Sequence, residues 1–132
     1  MNINDKIPDY VMVGYRSFEI VPLEYADFEM TDKYGWCDKI NNKIYIYVGN
    51  DPMMTADTLL HEVMHAIWAF MGLDEKHDEE PIVARLTTGL LSVLYDNTDL
   101  LDYIEACIEY AQRDDEEEEE NQKENFNATT TN

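Results

Sequence analysis

Two histidines and a glutamate stand close together at residues 61–65, in an H-E-x-x-H arrangement. His61 and His65 lie four positions apart, so on a helix they share one face and their imidazoles can converge on one ion. Glu62 projects from a neighbouring angle, where its carboxylate can take a proton from a water that the ion activates. The spacing therefore predicts a Zn²⁺ site for peptide-bond hydrolysis, with Glu62 as general base.

Other interpretations of this motif remain open. Two partly buried histidines with purely structural hydrogen bonds give the same string of residues. Fe²⁺, Mn²⁺ and Co²⁺ also bind two histidines and a carboxylate, and affinity alone does not choose among these ions. The glutamate between the histidines favours zinc, because an oxygenase site has no need of it.

A zinc peptidase needs a third protein ligand, and its fourth position stays open for water. The candidates lie in the acidic segment downstream of the motif: His77, Asp78, Glu79 and Glu80. Pro81 suits the first turn of a second helix, and if that helix begins near Glu79, the Glu79 carboxylate faces the core side. Glu80 then points about 100° away around the helix. We expect Glu79 as third ligand, with Glu80 next and His77 after it; a solvated acidic loop is the alternative.

The motif requires a helix, and residues 55–71 have the pattern of one, with apolar residues at intervals of three and four. The Gly-Asn-Asp-Pro sequence at 49–52 breaks the chain before it, and Gly72 follows at a position typical of a helix end. A second helix is expected over residues 79–95, and a third over residues 100–112.

Strands are expected upstream of the motif helix. Residues 15–23 alternate loosely, and the segments 34–40 and 43–48 flank an Asn-Asn pair that favours a tight hairpin. Residues 25–31 fit either a short helix or a turn. The predicted fold class is α+β, a small antiparallel or mixed sheet with a hairpin and about three helices.

Aromatic residues can complete or line such a site. Four tyrosines are candidates for a second electrophile: Tyr45, Tyr47, Tyr95 and Tyr103. Tyr34 and Trp36 can line a substrate groove, although core packing or cross-strand pairing explains them equally well. If the strand at 43–48 lies at a sheet edge, an extended peptide can pair with it.

Length and charge narrow the class of protein. The 132 residues, 45% of them hydrophobic, are enough for one domain with a modest core, expected over residues 1–112. A net charge of −20 argues against direct nucleic-acid binding, because no basic patch is available. Residues 113–132 hold eight acidic and two basic residues and are expected to form a disordered tail.

The expected cellular location rests on the lack of a membrane span and of a signal peptide in the sequence. No apolar run approaches the length of a membrane span, and the first residues do not have a signal-peptide pattern. Cys37 and Cys107 match no zinc or redox spacing, and reduced thiols in a cytoplasmic protein are the simplest interpretation. We expect a cytoplasmic protein that has no membrane partner and acts on a protein or peptide; the sequence does not indicate its oligomeric state.

The order of strand, hairpin, motif helix, acidic segment and second helix resembles small metallopeptidase-like proteins of phages, related to the ImmA/IrrE family of gluzincin-type peptidases. The residues that carry the likeness are 34–38 (YGWCD), 41–46 (NNKIYI), 58–68 (TLLHEVMHAIW) and 78–83 (DEEPIV). It covers roughly residues 15–105. It implies a minimal zincin-like fold, zinc on both motif histidines, Glu62 as general base, and Glu79 or Glu80 as third ligand. Family members cleave regulatory proteins, which implies such a substrate, in the host cytoplasm if a phage encodes the chain.

Two rival functions are compatible with the sequence. An acidic, non-catalytic binding or inhibitor protein of phage type can use a zincin scaffold as a frame, as the charge and the Glu-rich tail indicate. Glu62 argues against it, because a purely structural site requires no base. A metal that only staples the fold ranks last, since the chain is large enough to fold without one.

Overall fold

The computed structural model describes residues 2–73 and 78–130, with side chains described up to residue 128. These residues contain four strands and four α-helices. A short 3₁₀ helix, Ile3–Lys6, precedes them. The α+β class predicted from the sequence is confirmed. None of the described helices is long and apolar enough to cross a lipid bilayer.

The strands form one mixed sheet in the order β1-β2-β4-β3. They are β1 (Tyr10–Val13), β2 (Arg16–Leu23), β3 (Gly35–Asp38) and β4 (Lys43–Tyr47). β2 and β4 pair in parallel, whereas the β1–β2 and β3–β4 pairs are antiparallel. Asn42 has a φ of 54° in the turn between β3 and β4, as the Asn-Asn pair predicts. β1 was not expected; Gly14, with a φ of 63°, lies in the turn that joins it to β2.

β4 is an interior strand, because it pairs with β2 on one side and β3 on the other. Ile44 and Ile46, two positions apart on one face of β4, are completely buried in the core. Peptide addition to residues 43–48 is therefore ruled out. The free edge beside β4 belongs to β3, whose position local sequence could not predict because the β2–β4 pairing joins distant segments.

The helices are α1 (Tyr25–Thr31), α2 (Pro52–Phe70), α3 (Glu79–Asp96) and α4 (Thr98–Thr130). The Asp51 side chain accepts a hydrogen bond from the Met54 N–H at 2.9 Å and caps α2, and Pro52 takes its first position. Gly72 has a φ of 65° just after the helix, so both predicted ends of the motif helix are confirmed within a few residues. α3 begins at Glu79, as its helix-start signals predict.

The core lies between the sheet and α2. Its buried residues are Val13, Phe18, Ile20, Ile44, Ile46 and Ala66. Half-buried residues of α2, Leu59, Val63 and Ile67, extend it. Glu62 lies on the same buried face of α2, which brings an acidic side chain against the sheet.

The chain divides into two compact units, Met1–Leu91 and Ser92–Asn132. The first contains the sheet, α1, α2 and most of α3. The second is almost entirely α4, whose described side chains are all exposed. The division falls inside the single domain that the sequence predicts for residues 1–112.

α4 continues well past residue 112, where the sequence predicts the end of the third helix. Residues 113–130, expected to be disordered, have a helical backbone in this structure. The physical reason is composition: this segment is rich in Glu, with Gln, Lys and Ala, all good helix formers, and it contains no Gly or Pro. The expectation of disorder weighed only the lack of apolar residues to bury.

Candidate metal centre

The motif opens into a cavity of about 640 Å³ in the first unit. β3, α2 and the first turn of α3 supply most of its wall. The residues that line it are Lys33, Tyr34, Gly35, Trp36, Cys37, Lys39, Asp57, Thr58, His61, Glu62, His65, Glu79 and Glu80. The sequence predictions for the motif and for the head of α3 thus refer to residues that meet in one place.

Three side chains direct ligand atoms to one point. The Nε2 atoms of His61 and His65 are 3.1 Å apart, as expected for one helical turn. The carboxylate of Glu80 bridges them, with Oε1 2.8 Å from His61 Nε2 and Oε2 2.7 Å from His65 Nε2. The three residues offer ligand atoms that all lie within 4.8 Å of one another.

This donor set suits a zinc ion. Two imidazole nitrogens and one carboxylate oxygen are ligands that Zn²⁺ takes in catalytic sites, with about 2.0–2.2 Å to each atom. Ligand atoms of a tetrahedral ion at those distances are roughly 3.3 Å apart. The separations of 2.7 to 3.1 Å in the cluster are slightly shorter, so small side-chain movements suffice to admit the ion.

Glu79, the preferred third ligand in the sequence analysis, takes a different position. Its Oε1 lies 2.8 Å from Nδ1 of His65, on the ring edge away from Glu80, and 3.4 Å from Nζ of Lys39. Burial alone raises the pKa of the Glu79 carboxyl, but His65 and Lys39 outweigh this effect and lower it. Glu80 and not Glu79 meets both Nε2 atoms; His77, the third candidate, lies outside the described residues.

Glu62 lies beside the cluster but does not belong to it. Its Oε1 is 4.0 Å from Nε2 of His61, and only 6% of the residue is exposed. Burial raises the pKa of the Glu62 carboxyl, although the two motif histidines oppose that effect. A carboxyl of this kind takes up a proton more readily than an exposed glutamate, which suits a general base next to a metal.

Cys37 also faces the cavity from β3. Burial, followed by the nearby carboxylate of Glu62, raises the pKa of its thiol to about 11. The thiol is therefore protonated at neutral pH in the metal-free protein, and a protonated thiol is a poor nucleophile. The structure offers no support for cysteine chemistry at this site.

Of the tyrosines considered as electrophiles, neither Tyr45 nor Tyr47 lines the cavity. Tyr95 and Tyr103 belong to the second unit. Tyr34 and Trp36, expected either to line a groove or to pack, do both. Tyr34 stacks on Phe28 with ring centroids 5.0 Å apart, Trp36 stacks on Tyr45 at 4.5 Å, and both reach the cavity wall.

Two residues of the site were not predicted from the sequence. Lys39 carries no sequence signal, because a lysine at a hairpin is usually only solvated. Gly35 did carry one, since a glycine inside a strand marks a bulge or a close backbone approach. A β-carbon at Gly35 would lie 2.6 Å from the Tyr45 carbonyl oxygen and 3.4 Å from Cγ of Glu62. The bare glycine lets β3 approach α2 closely.

A hydrogen bond from Thr88 Oγ1 to Asp57 Oδ1, 3.0 Å long, joins α3 to α2 near the opposite end of the helix pair. Together with the contacts of Glu79 and Glu80, it shows that the two helices run antiparallel. This attachment holds the head of α3 over the motif.

Comparisons with known proteins give no relative for this chain. No protein-family model matches it, and neither a curated protein nor a solved structure is significantly similar to it.

Proposed function

We propose that this protein is a zinc-dependent metallopeptidase that hydrolyses peptide bonds with Glu62 as general base. The observation that carries the proposal is the convergence of His61, His65 and Glu80 beside a buried glutamate in an open cavity. A purely structural metal site would need His61, His65 and Glu80 but not the buried Glu62.

Zinc bound by this cluster would lower the pKa of a water ligand toward neutrality and polarise a carbonyl group. Glu62 accepts the proton from the attacking water and later passes it to the leaving amine. Its burial supports this role, because burial raises the pKa of the carboxyl and so makes it a better proton acceptor. His61 and His65 would hold the ion through Nε2, and the Glu80 carboxylate would supply the third contact.

The substrate that fits best is an extended segment of protein or peptide. Among the described strands, β3 lies at the sheet edge beside the cavity, and its residues from Gly35 to Cys37 contribute to the lining. An unpaired strand edge presents backbone N–H and C=O groups that an extended peptide can pair with. A substrate bound there would pass its backbone over Glu62. The resemblance to regulator-cleaving peptidases favours a regulatory protein as that substrate.

The first test is the metal content of the purified protein, together with hydrolysis of a library of quenched fluorescent peptides. We expect about one zinc per chain in the wild type, in line with a single three-residue donor set. His61→Ala should lose the zinc and the activity. Glu62→Gln should keep the zinc and lose roughly 10²- to 10⁴-fold in rate, because only proton transfer is removed.

A matched control is Glu19→Gln, which breaks an exposed pair with Lys43, 4.0 Å long, outside the cavity, and should change neither readout. Zinc binding without any hydrolysis that depends on Glu62 would contradict the proposal. A wild-type protein that binds no zinc after reconstitution would favour the acidic binding protein, which the run of seven acidic residues from Asp114 to Glu120 supports.

A further inference from the structure

We infer that Glu79 and Lys39 are positioning residues for the metal ligand His65, an inference that rests on the proposed function. They hold the far edge of its imidazole so that Nε2 points at the ion. Neither residue would itself contact the metal.

His65 is held at both ring nitrogens. Its two ring nitrogens face different glutamates: Nδ1 lies 2.8 Å from Glu79 Oε1, and Nε2 lies 2.7 Å from Glu80 Oε2. With an ion on Nε2, the proton of the neutral ring stays on Nδ1, the state that zinc requires. Nδ1 can then donate to Glu79, because an ionised carboxylate only accepts hydrogen bonds.

Glu79 is not placed to bind the same ion. The Glu79 oxygen contacts the opposite edge of the imidazole from the point where His61 and Glu80 converge. Consecutive residues of a helix project about 100° apart, so the side chains of Glu79 and Glu80 approach His65 from different directions. Here they hold the two edges of one ring.

Lys39 holds the Glu79 carboxylate in place. Lys39, just after β3, places its Nζ 3.4 Å from the same Oε1 that accepts from His65. One carboxylate oxygen thus connects α2, α3 and the β3–β4 hairpin. The Glu79 side chain is only 26% exposed, so water competes less with these contacts than at an open surface. Partners of this kind fix the tautomer and orientation of metal-binding histidines.

The experiment compares zinc affinity in full-length wild type, Glu79→Gln, Lys39→Met and Glu19→Gln by competition with a chelator. Glu79→Gln should bind zinc roughly 10- to 100-fold more weakly, the usual loss when a carboxylate behind a histidine ligand is removed. Lys39→Met should show a smaller loss in the same direction. Glu19→Gln, an equivalent change at an exposed lysine pair, should match the wild type.

A second readout separates positioning from general stability. Long-range ¹H–¹⁵N spectra of the zinc-loaded protein should show His65 protonated at Nδ1 in the wild type, and a shifted Nδ1 resonance in Glu79→Gln. The positioning role predicts altered ring signals whatever the melting temperature of metal-free Glu79→Gln, whereas a merely structural role would lower the melting temperature and leave the ring signals unchanged.

Two results would overturn the inference while leaving the proposed function intact. One is wild-type zinc affinity in Glu79→Gln. The other is complete loss of zinc in that variant, as in His61→Ala, which would make Glu79 a ligand. Failure of the wild type itself to bind zinc would instead overturn the proposed function, and this inference with it.

Discussion

Glu62 is an acidic residue placed where water hardly reaches, and this has a consequence for stability as well as for chemistry. Burial raises the pKa of its carboxyl in the folded, metal-free chain, so the folded state binds this proton more tightly than the unfolded chain does. The folded state is therefore penalised as pH rises through the unfolded pKa, and the penalty is complete above the folded pKa.

Replacing Glu62 by glutamine should remove this penalty. We expect metal-free Glu62→Gln to melt at a higher temperature than metal-free wild type, with a difference that is smaller at about pH 5 than at about pH 8. Thermal unfolding in the presence of a chelator measures it; the range begins above the sequence pI of about 4.1, where the protein carries net negative charge. A difference that stays constant with pH would mean that Glu62 ionisation does not affect folding.

At the residue scale, the sequence predicted the convergence of side chains only where local geometry decides it. His61 and His65 converge because a helix fixes the relation between positions four apart, and Glu62 follows from the same helix. The choice between Glu79 and Glu80 depends on the phase of α3 relative to α2 and on which edge of an imidazole each side chain reaches. Those are tertiary relations, and the sequence alone ranked the two residues in the opposite order from the geometry.

At the level of elements, the close approach of β3 to α2 shapes the cavity. Gly35 permits it, since a β-carbon there would meet a backbone oxygen at 2.6 Å and Cγ2 of Thr58 at 2.9 Å. A backbone atom cannot move aside as the end of a side chain can. The backbone oxygen belongs to Tyr45 of β4 and the Thr58 methyl to α2, so any larger residue must shift β3 relative to both.

Gly35→Ala should accordingly destabilise the protein by about 1–3 kcal/mol, the usual cost of overpacking. Gly89→Ala is the matched control, because a β-carbon at Gly89 in α3 meets nothing within 4 Å. It should stabilise by about 0.5–1 kcal/mol through helix propensity. Urea unfolding of the wild type and both variants checks the prediction. A Gly35→Ala midpoint equal to that of the wild type would show that β3 does not approach its neighbours as closely as described.

Strand order was beyond local sequence because alternation of side chains reveals which face of a strand is buried but not which strands lie beside it. Ile44 and Ile46 predict a half-buried strand equally well at an edge or in the interior. The parallel pairing of β2 with β4 sends β3 to the edge, and it requires a connection through α1 and β3 that no single segment encodes.

On the scale of the whole molecule, the charge of −20 is concentrated in part on α4, where residues 114–120 are all acidic. Like charges three and four positions apart on a helix each cost about 0.2–0.5 kcal/mol. No burial offsets this, because every described side chain of α4 is exposed. Helix propensity and electrostatic repulsion therefore oppose each other in this segment.

Screening should shift that balance. Raising NaCl from about 10 mM to about 0.5 M shortens the Debye length from roughly 30 Å to a few ångströms, and helical ellipticity at 222 nm should increase. A variant with Glu117→Gln and Glu118→Gln should respond less. If the signal of the wild type does not depend on salt, repulsion within α4 does not limit its helicity.

The His61–His65 spacing has one more consequence, for the denatured chain. Two ligands on a single helical turn stay four residues apart whether or not the protein is folded, whereas Glu80 reaches them only through the α2–α3 pairing. An ion stabilises a fold only by the excess of its affinity for the native over the denatured state. Much of the rise in melting temperature that zinc produces would then come from the contact of Glu80 with the ion, and less of it from the histidine pair.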